Sequence, residues 1–145
     1  MKQDSPRVLV ADDDQAIRQL VATIIRREGI EVDVAADGYE AIEHLKKREY
    51  PVILVDLMMP RVDGFGVIDH LRRNPQLHKA VVLVISAYAD QKFKQVDPEV
   101  VSGVIRKPFE VADLGTLVRL CVSGFEAVMK RLNATSADVR AGVEH

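Results

Sequence analysis

Three consecutive aspartates, Asp12, Asp13 and Asp14 in "ADDDQ", follow a short apolar run, and a fourth, Asp56, ends another, "PVILVD". Ser86 ends a third run, and Lys107, followed by Pro108, ends a further one. Each has a bland explanation alone. An aspartate before a helix is a common N-cap, and Asp14 reads in that role. Asp56 reads as a turn former, Ser86 as a hydroxyl bonding its own backbone, and Lys107 as a surface charge. The combination asks for more, because one cap needs one acid and a carboxylate is costly to take out of water unless something pairs with it. If Asp12, Asp13 and Asp56 converge, they must take up a proton or hold a cation. Hard oxygen ligands suit Mg²⁺ or Mn²⁺; Mg²⁺ keeps several waters and uses few protein carboxylates. With a hydroxyl and a lysine at its border, such a cluster describes a phosphoryl-transfer site, where positioning and charge neutralisation supply most of the catalysis.

The elements that must position these residues are legible as an alternation of short β-branched runs and longer helical patterns. Strands are predicted at "RVLVA" (7–11), "EVDVAA" (31–36), "PVILVD" (51–56), "AVVLVIS" (80–86) and "SGVIRK" (102–107). The first, third and fourth are nearly continuous apolar runs, as in strands buried on both faces of a parallel sheet; the second and fifth are mixed and suit edges. Ile17, Leu20, Val21, Ile24 and Ile25 follow the spacing of one helix face. "IIRREG", "HLKKREYP" and "HLRRNP" each put a basic pair in a last turn before a Gly or Pro, which reads as a solvated helix end. In the fourth crossover Pro98 predicts a short helix, a break, and a second turn capped by Asp97. A fifth helix from about Val111 carries an apolar stripe through Leu114, Leu117, Val118 and Cys121, prolonged by Phe125, Val128, Met129 and Leu132. Five β-α units in series imply a three-layer α/β domain. Open sheets of this kind bind ligands beyond the carboxyl ends of their strands, where all the candidate residues lie.

Composition narrows the class. The chain has 145 residues, 48% hydrophobic and 29% charged, as in one globular domain. A net charge of −2 gives no basic surplus for direct nucleic-acid binding. A single cysteine, Cys121, excludes a disulfide framework and fits a reducing, cytoplasmic setting. No apolar run approaches the roughly 18 residues of a membrane span, so no membrane insertion is expected. His44, His70 and His78 form no ligand spacing and read as surface or helix-face residues.

In this order and spacing, "VLVADDD", "VILVDLMMPRVDG", "VLVISA" and "VIRKPF" resemble the receiver domain of bacterial two-component response regulators, over about Arg7 to Val122. The resemblance implies a flavodoxin-like (βα)5 fold with a five-stranded parallel sheet in the order 2-1-3-4-5. Strands one and three would then be neighbours, about 4.8 Å apart, bringing Asp12, Asp13 and Asp56 to one place. It implies that Asp56 takes a phosphoryl group from a histidine on a sensor kinase or phosphotransfer protein. Asp13, Asp56 and the backbone carbonyl of Met58 would form the Mg²⁺ shell, with Asp12 acting through water. Ser86 and Lys107 would hold phosphoryl oxygens, and Lys107–Pro108 resembles the family's cis peptide. Many receivers carry Tyr or Phe three residues before the lysine, where this chain has Val104; Tyr88 stands near the expected site mouth.

The receiver is expected over residues 1–124, with 125–145 extending the last helix into a polar tail. Too little chain follows Gly124 for an output domain, which needs roughly 50 residues, so the output is expected through contact with a downstream protein or a second copy of the chain. The stripe from Phe125 to Leu132 serves either its own domain or such a surface. Two rivals stand beside a phosphorylated switch. Aspartate-nucleophile phosphohydrolases of the haloacid dehalogenase type need a second acid two residues after the nucleophile, where this chain has Met58, so turnover of an external substrate is not expected. A flavodoxin-like FMN binder needs a phosphate-cradling loop after the first strand, and "DDDQ" would repel phosphate. A degenerate receiver that works without phosphorylation is the remaining alternative.

Overall fold

In the computed structural model, residues 6–74, 79–87 and 92–134 are described, with the backbone alone at 92–93 and 125–134. Five parallel strands, β1 (Arg7–Ala11), β2 (Glu31–Ala35), β3 (Val52–Asp56), β4 (Val81–Ala87) and β5 (Val101–Lys107), form one sheet in the order β2-β1-β3-β4-β5. Alternate residues of the central strands serve opposite faces. Val8 and Val10 of β1, Val52 and Leu54 of β3, and Leu83 and Ile85 of β4 pack with Val21 and Ile25 of α1 (Gln15–Arg27) and with Leu114 and Val118 of α4 (Val111–Ala134). Leu9, Ala11, Ile53, Val55, Val82 and Val84 pack with Ala41 and Leu45 of α2 (Gly38–Lys47) and with Val67 and Leu71 of α3 (Gly64–Arg73).

The result is the three-layer arrangement that the alternating runs predict, with the two mixed runs at the sheet edges. Every residue of β3 is buried. Each fully buried Val, Leu or Ile contributes about 2 kcal/mol of transfer free energy, so the strand ending in Asp56 is among the most firmly held elements.

Capping follows the sequence. Asp14, Asp37 and Asp63 N-cap the first three helices, their side chains accepting from the backbone amides of Ile17, Glu40 and Gly66. Their last turns carry Arg26 and Arg27; His44, Lys46 and Lys47; and His70, Arg72 and Arg73, where cations complement the negative helix end.

Among the described residues, the short helix expected in the fourth crossover is a single 3-10 turn, Lys92–Gln95, so the described chain has four α-helices. The turn expected after it is present: Asp97 Oδ1 accepts from the Glu99 amide at 2.9 Å, and the Asp97 carbonyl from the amides of Val100 and Val101. The last helix runs unbroken past Gly124 to Ala134. His44 lies on α2, as a helix-face residue; its Nε2 is 3.1 Å from the Val34 carbonyl and its Nδ1 3.5 Å from the Tyr50 hydroxyl. Tyr88 and His78 lie outside the described residues.

Candidate functional site

The register between β1 and β3 pairs Ala11 with Val55, so the next residue on each strand, Asp12 and Asp56, emerges at the same level on the same face of the sheet. Carboxylate oxygens of Asp12, Asp13 and Asp56 all lie within 4.8 Å of one another. Asp12 and Asp56 are buried, while Asp13 is exposed. Lys107, at the end of β5, reaches across the strand ends. Its Nζ donates to Asp12 Oδ2 at 3.2 Å and to Asp56 Oδ2 at 3.4 Å.

The remaining oxygens have backbone partners. Asp12 Oδ1 accepts from the Asp14 amide at 2.9 Å, and Asp56 Oδ1 from the Met58 amide at 3.1 Å. One lysine thus pairs with two of the three clustered carboxylates. Burial drives the Asp56 carboxyl up to about 6; the Met58 amide pulls it down, the Asp12 charge raises it and Lys107 lowers it. For Lys107, burial works against the charge, but Asp12 and Asp56 outweigh it and hold the ammonium above its ordinary value.

Ser86 is buried one residue beyond Ile85, the register partner of Asp56, and its hydroxyl donates to the Ala87 carbonyl at 3.3 Å. Of the two roles open to it in sequence, this bond is the one made in the unmodified protein. Val104 sits in β5, partnered in register with Val84 and partly exposed. The Met58 side chain is half-exposed, and the Lys107–Pro108 peptide is cis.

Sequence reasoning missed a set of residues on the loop between β3 and α3. Gly64 donates its amide to the Leu57 carbonyl at 2.9 Å, and a Cβ there would lie 2.5 Å from the Asp56 carbonyl oxygen. Arg61, at φ +63°, donates from Nε to Asp37 Oδ2 at 2.7 Å. Arg18 also went unread; its Nη1 donates to the Asp12 carbonyl at 2.8 Å. The "DG" pairs at 37–38 and 63–64 were the available signal, since each sets a capping aspartate before a glycine.

Residues 8–119 match the family described as the response regulator receiver domain. The chain belongs to the response regulator receiver family. Among curated relatives, this receiver is 28% identical over 127 residues to protein PilG of Pseudomonas aeruginosa, covering 86% of this chain and 93% of PilG. It is 34% identical over 115 residues to the DNA-binding dual master transcriptional regulator RpaA of Synechocystis sp., covering 79% of this chain and 48% of RpaA. The chain spans about half the length of the first curated relatives it matches, 51% and 48%. Among solved structures, the Francisella response regulator 1452 receiver domain matches with a TM-score of 0.72 and 32% identity, over 82% of this chain and 98% of that one. The chemotaxis response regulator CheY4 of Vibrio cholerae matches with a TM-score of 0.72 and 30% identity, over 81% of this chain and 98% of that one.

Receiver domains are phosphoacceptor signalling modules of two-component systems and bind Mg²⁺ through an acidic pocket; here Asp12, Asp13 and Asp56 form such a cluster. The donor set fits: hard carboxylate oxygens, one of them on an exposed residue, with more negative charge than the single lysine offsets. Among the described residues, no helix is long and apolar enough to cross a membrane.

Proposed function

We propose that Asp56 is the phosphoacceptor of this receiver. One of its carboxylate oxygens attacks the phosphorus of a phosphohistidine on a sensor kinase or phosphotransfer protein. The phosphorus–nitrogen bond breaks with its electron pair returning to the imidazole, and Asp56 is left as an acyl phosphate. Asp13, Asp56 and the Met58 carbonyl would hold Mg²⁺ or Mn²⁺, with Asp12 acting through water. Bound there, the cation would neutralise charge on the carboxylates and on the transferring group.

The chain's own residues do the rest. The Met58 amide fixes one Asp56 oxygen and so orients the other. Lys107, already bridging Asp12 and Asp56, passes to a phosphoryl oxygen once Asp56 is modified. Ser86 exchanges its bond to the Ala87 carbonyl for a bond to another phosphoryl oxygen. These exchanges bias the segments that follow Ser86 and Lys107 at the ends of β4 and β5 and so switch binding of a downstream protein. With Val104 at the usual aromatic position, the switch runs through Ser86, Lys107 and the Lys107–Pro108 segment, with Tyr88 tuning access. The protein modifies itself and loses the group to water, without turnover of an external phosphomonoester. Its setting is cytoplasmic, and the receiver unit is residues 1–124.

The observation that carries this reading is the meeting of three carboxylates within 4.8 Å, with the Lys107 ammonium on two of them. Incubation with Mg²⁺ and acetyl phosphate should add one phosphoryl group, read by intact mass. Asp56→Asn should abolish the addition, and labelling that survives the substitution rejects the assignment.

A further inference from the structure

The segment Leu57–Asp63 joins Asp56 to α3 and carries the Met58 amide that holds Asp56 Oδ1. It is tied at its far end by the bond from the Gly64 amide to the Leu57 carbonyl. Its middle has a different anchor, on another element. Arg61 donates to Asp37 Oδ2 at 2.7 Å, and its guanidinium lies 4.7 Å from the centroid of the Tyr39 ring. The next residue, Val62, accepts the Gly38 amide at 2.8 Å, in an approach so close that a Cβ on Gly38 would lie 2.2 Å from the Val62 carbonyl oxygen.

Asp37 is itself rigid. Its other oxygen caps α2 through the Glu40 amide at 2.9 Å, and Glu40 Oε1 returns to the Ala36 amide at 2.8 Å. An exposed ion pair alone is worth little. This one has a carboxylate only 10% exposed, an aromatic face under the cation, and a backbone bond one residue away. Arg61 also holds φ +63°, a conformation that side chains other than those of Gly, Asn and Asp adopt rarely, so the loop bends to deliver this side chain to Asp37.

We propose that Arg61 is a positioning residue for the Asp56 site: clamped between Asp37 and Tyr39, it fixes the loop that presents Met58 to Asp56. The proposal rests on the reading of Asp56 as a cation-dependent phosphoacceptor. Groups that orient ligands from outside a metal site are commonly worth 10–100-fold in affinity. The Arg61 clamp acts through the backbone and belongs at the lower end, about tenfold.

The test titrates Mg²⁺ into ¹⁵N-labelled protein, following the Asp13 and Met58 amides, and measures hydrogen exchange at Gly38, thermal unfolding, and phosphoryl uptake from acetyl phosphate. Arg61→Ala should weaken Mg²⁺ binding about tenfold and speed exchange at Gly38. Arg61→Lys, which keeps the charge, should recover part of the affinity. Arg61→Gly is the separating variant, because glycine tolerates the left-handed backbone: its thermal midpoint should match or exceed that of the unaltered protein while its Mg²⁺ affinity still falls. Asp37→Asn, which preserves the cap, should weaken Mg²⁺ binding as Arg61→Ala does.

If Arg61→Ala keeps the Mg²⁺ affinity and Gly38 exchange of an unaltered protein that takes phosphoryl on Asp56, the clamp is overturned and the phosphoacceptor reading stands. If affinity falls only in step with thermal stability in all three Arg61 variants, the residue is merely structural and the proposal is overturned. An unaltered protein with no Mg²⁺ response and no phosphoryl uptake overturns both.

Discussion

In the cation-free protein, replacing the carboxylate proposed as the phosphoacceptor should stabilise the fold. The Asp56 side chain is 11% exposed, and its carboxyl is pushed up from 3.8 to about 6, chiefly by burial. Between those values the folded protein binds a proton that the unfolded chain has released, so stability falls as pH rises through the window. The difference amounts to about 3 kcal/mol at pH 7, roughly half of that at pH 5 and only a small remainder at pH 4. Asp56→Asn keeps the shape and an acceptor for the Met58 amide, and leaves Lys107 paired with Asp12. Allowing about 1 kcal/mol for the weaker bond to Lys107, a net gain of about 2 kcal/mol remains at pH 7. For a domain of this size that is a rise of about 7 °C in thermal midpoint. The assay is thermal and urea unfolding of both proteins in excess chelator at pH 7, 5 and 4. The gain should shrink steadily towards pH 4. Adding Mg²⁺ at ten times its dissociation constant should return about 1.4 kcal/mol to the unaltered protein and less to the variant. A variant less stable than the parent at pH 7, or a gap that ignores pH, would refute the picture of an under-compensated buried charge.

Three further outcomes follow from the same geometry. Lys107→Ala leaves Asp12 and Asp56 facing each other without their cation; it should cost about 2–4 kcal/mol in chelator, measured by urea unfolding, while some phosphoryl uptake survives but the partner switch weakens. Gly64→Ala puts a Cβ 2.5 Å from the Asp56 carbonyl oxygen and 2.6 Å from Leu57 Cα, backbone atoms that cannot swing aside, so unfolding should show a loss of about 2 kcal/mol and phosphoryl uptake should slow. Asp33 behaves oppositely to Asp56 with pH. Burial pushes its carboxyl up, but the Tyr50 hydroxyl at 2.6 Å and Arg7 at 2.8 Å outweigh that and hold it below 3.8. Its contribution should therefore be constant at neutral pH and vanish as pH falls through its lowered value, and the stability gap between Asp33→Asn and the parent should close only in acid.

Residues whose position follows from strand periodicity were legible in sequence. Asp56 and Lys107 could be placed because each ends a β-branched run and the runs alternate with helical patterns, which fixes the end of the sheet where they lie. That Asp12 meets Asp56 needs strands one and three to be neighbours, and the family resemblance supplied that order. Local spacing also announced the helix faces and the Asp14 cap. The Arg61 clamp left no such trace. It joins positions 24 residues apart, and a left-handed backbone at an arginine has no sequence signature, since Gly and Asn are the usual occupants. The fourth crossover was legible only in outline, because Pro98 marks a break without saying whether the residues before it wind as an α-helix or as a tighter 3-10 turn.

The buried strand and the strained charge belong together. β3 is buried at every position, so it can carry at its mouth a carboxylate that costs the metal-free fold stability without the strand giving way. That cost is local, and it is relieved by whatever neutralises the cluster. On the proposed reading a cation held by Asp13 and Asp56 would relieve it, and a phosphoryl group on Asp56 deepens the negative charge and makes the same cation bind more tightly. Linkage is reciprocal: the factor by which phosphorylation raises cation affinity is the factor by which the cation favours the phosphorylated form at equilibrium. A loop held rigidly by Arg61 strengthens both, because a displaced Met58 would weaken the cation's hold in either state but most where the charge is greatest.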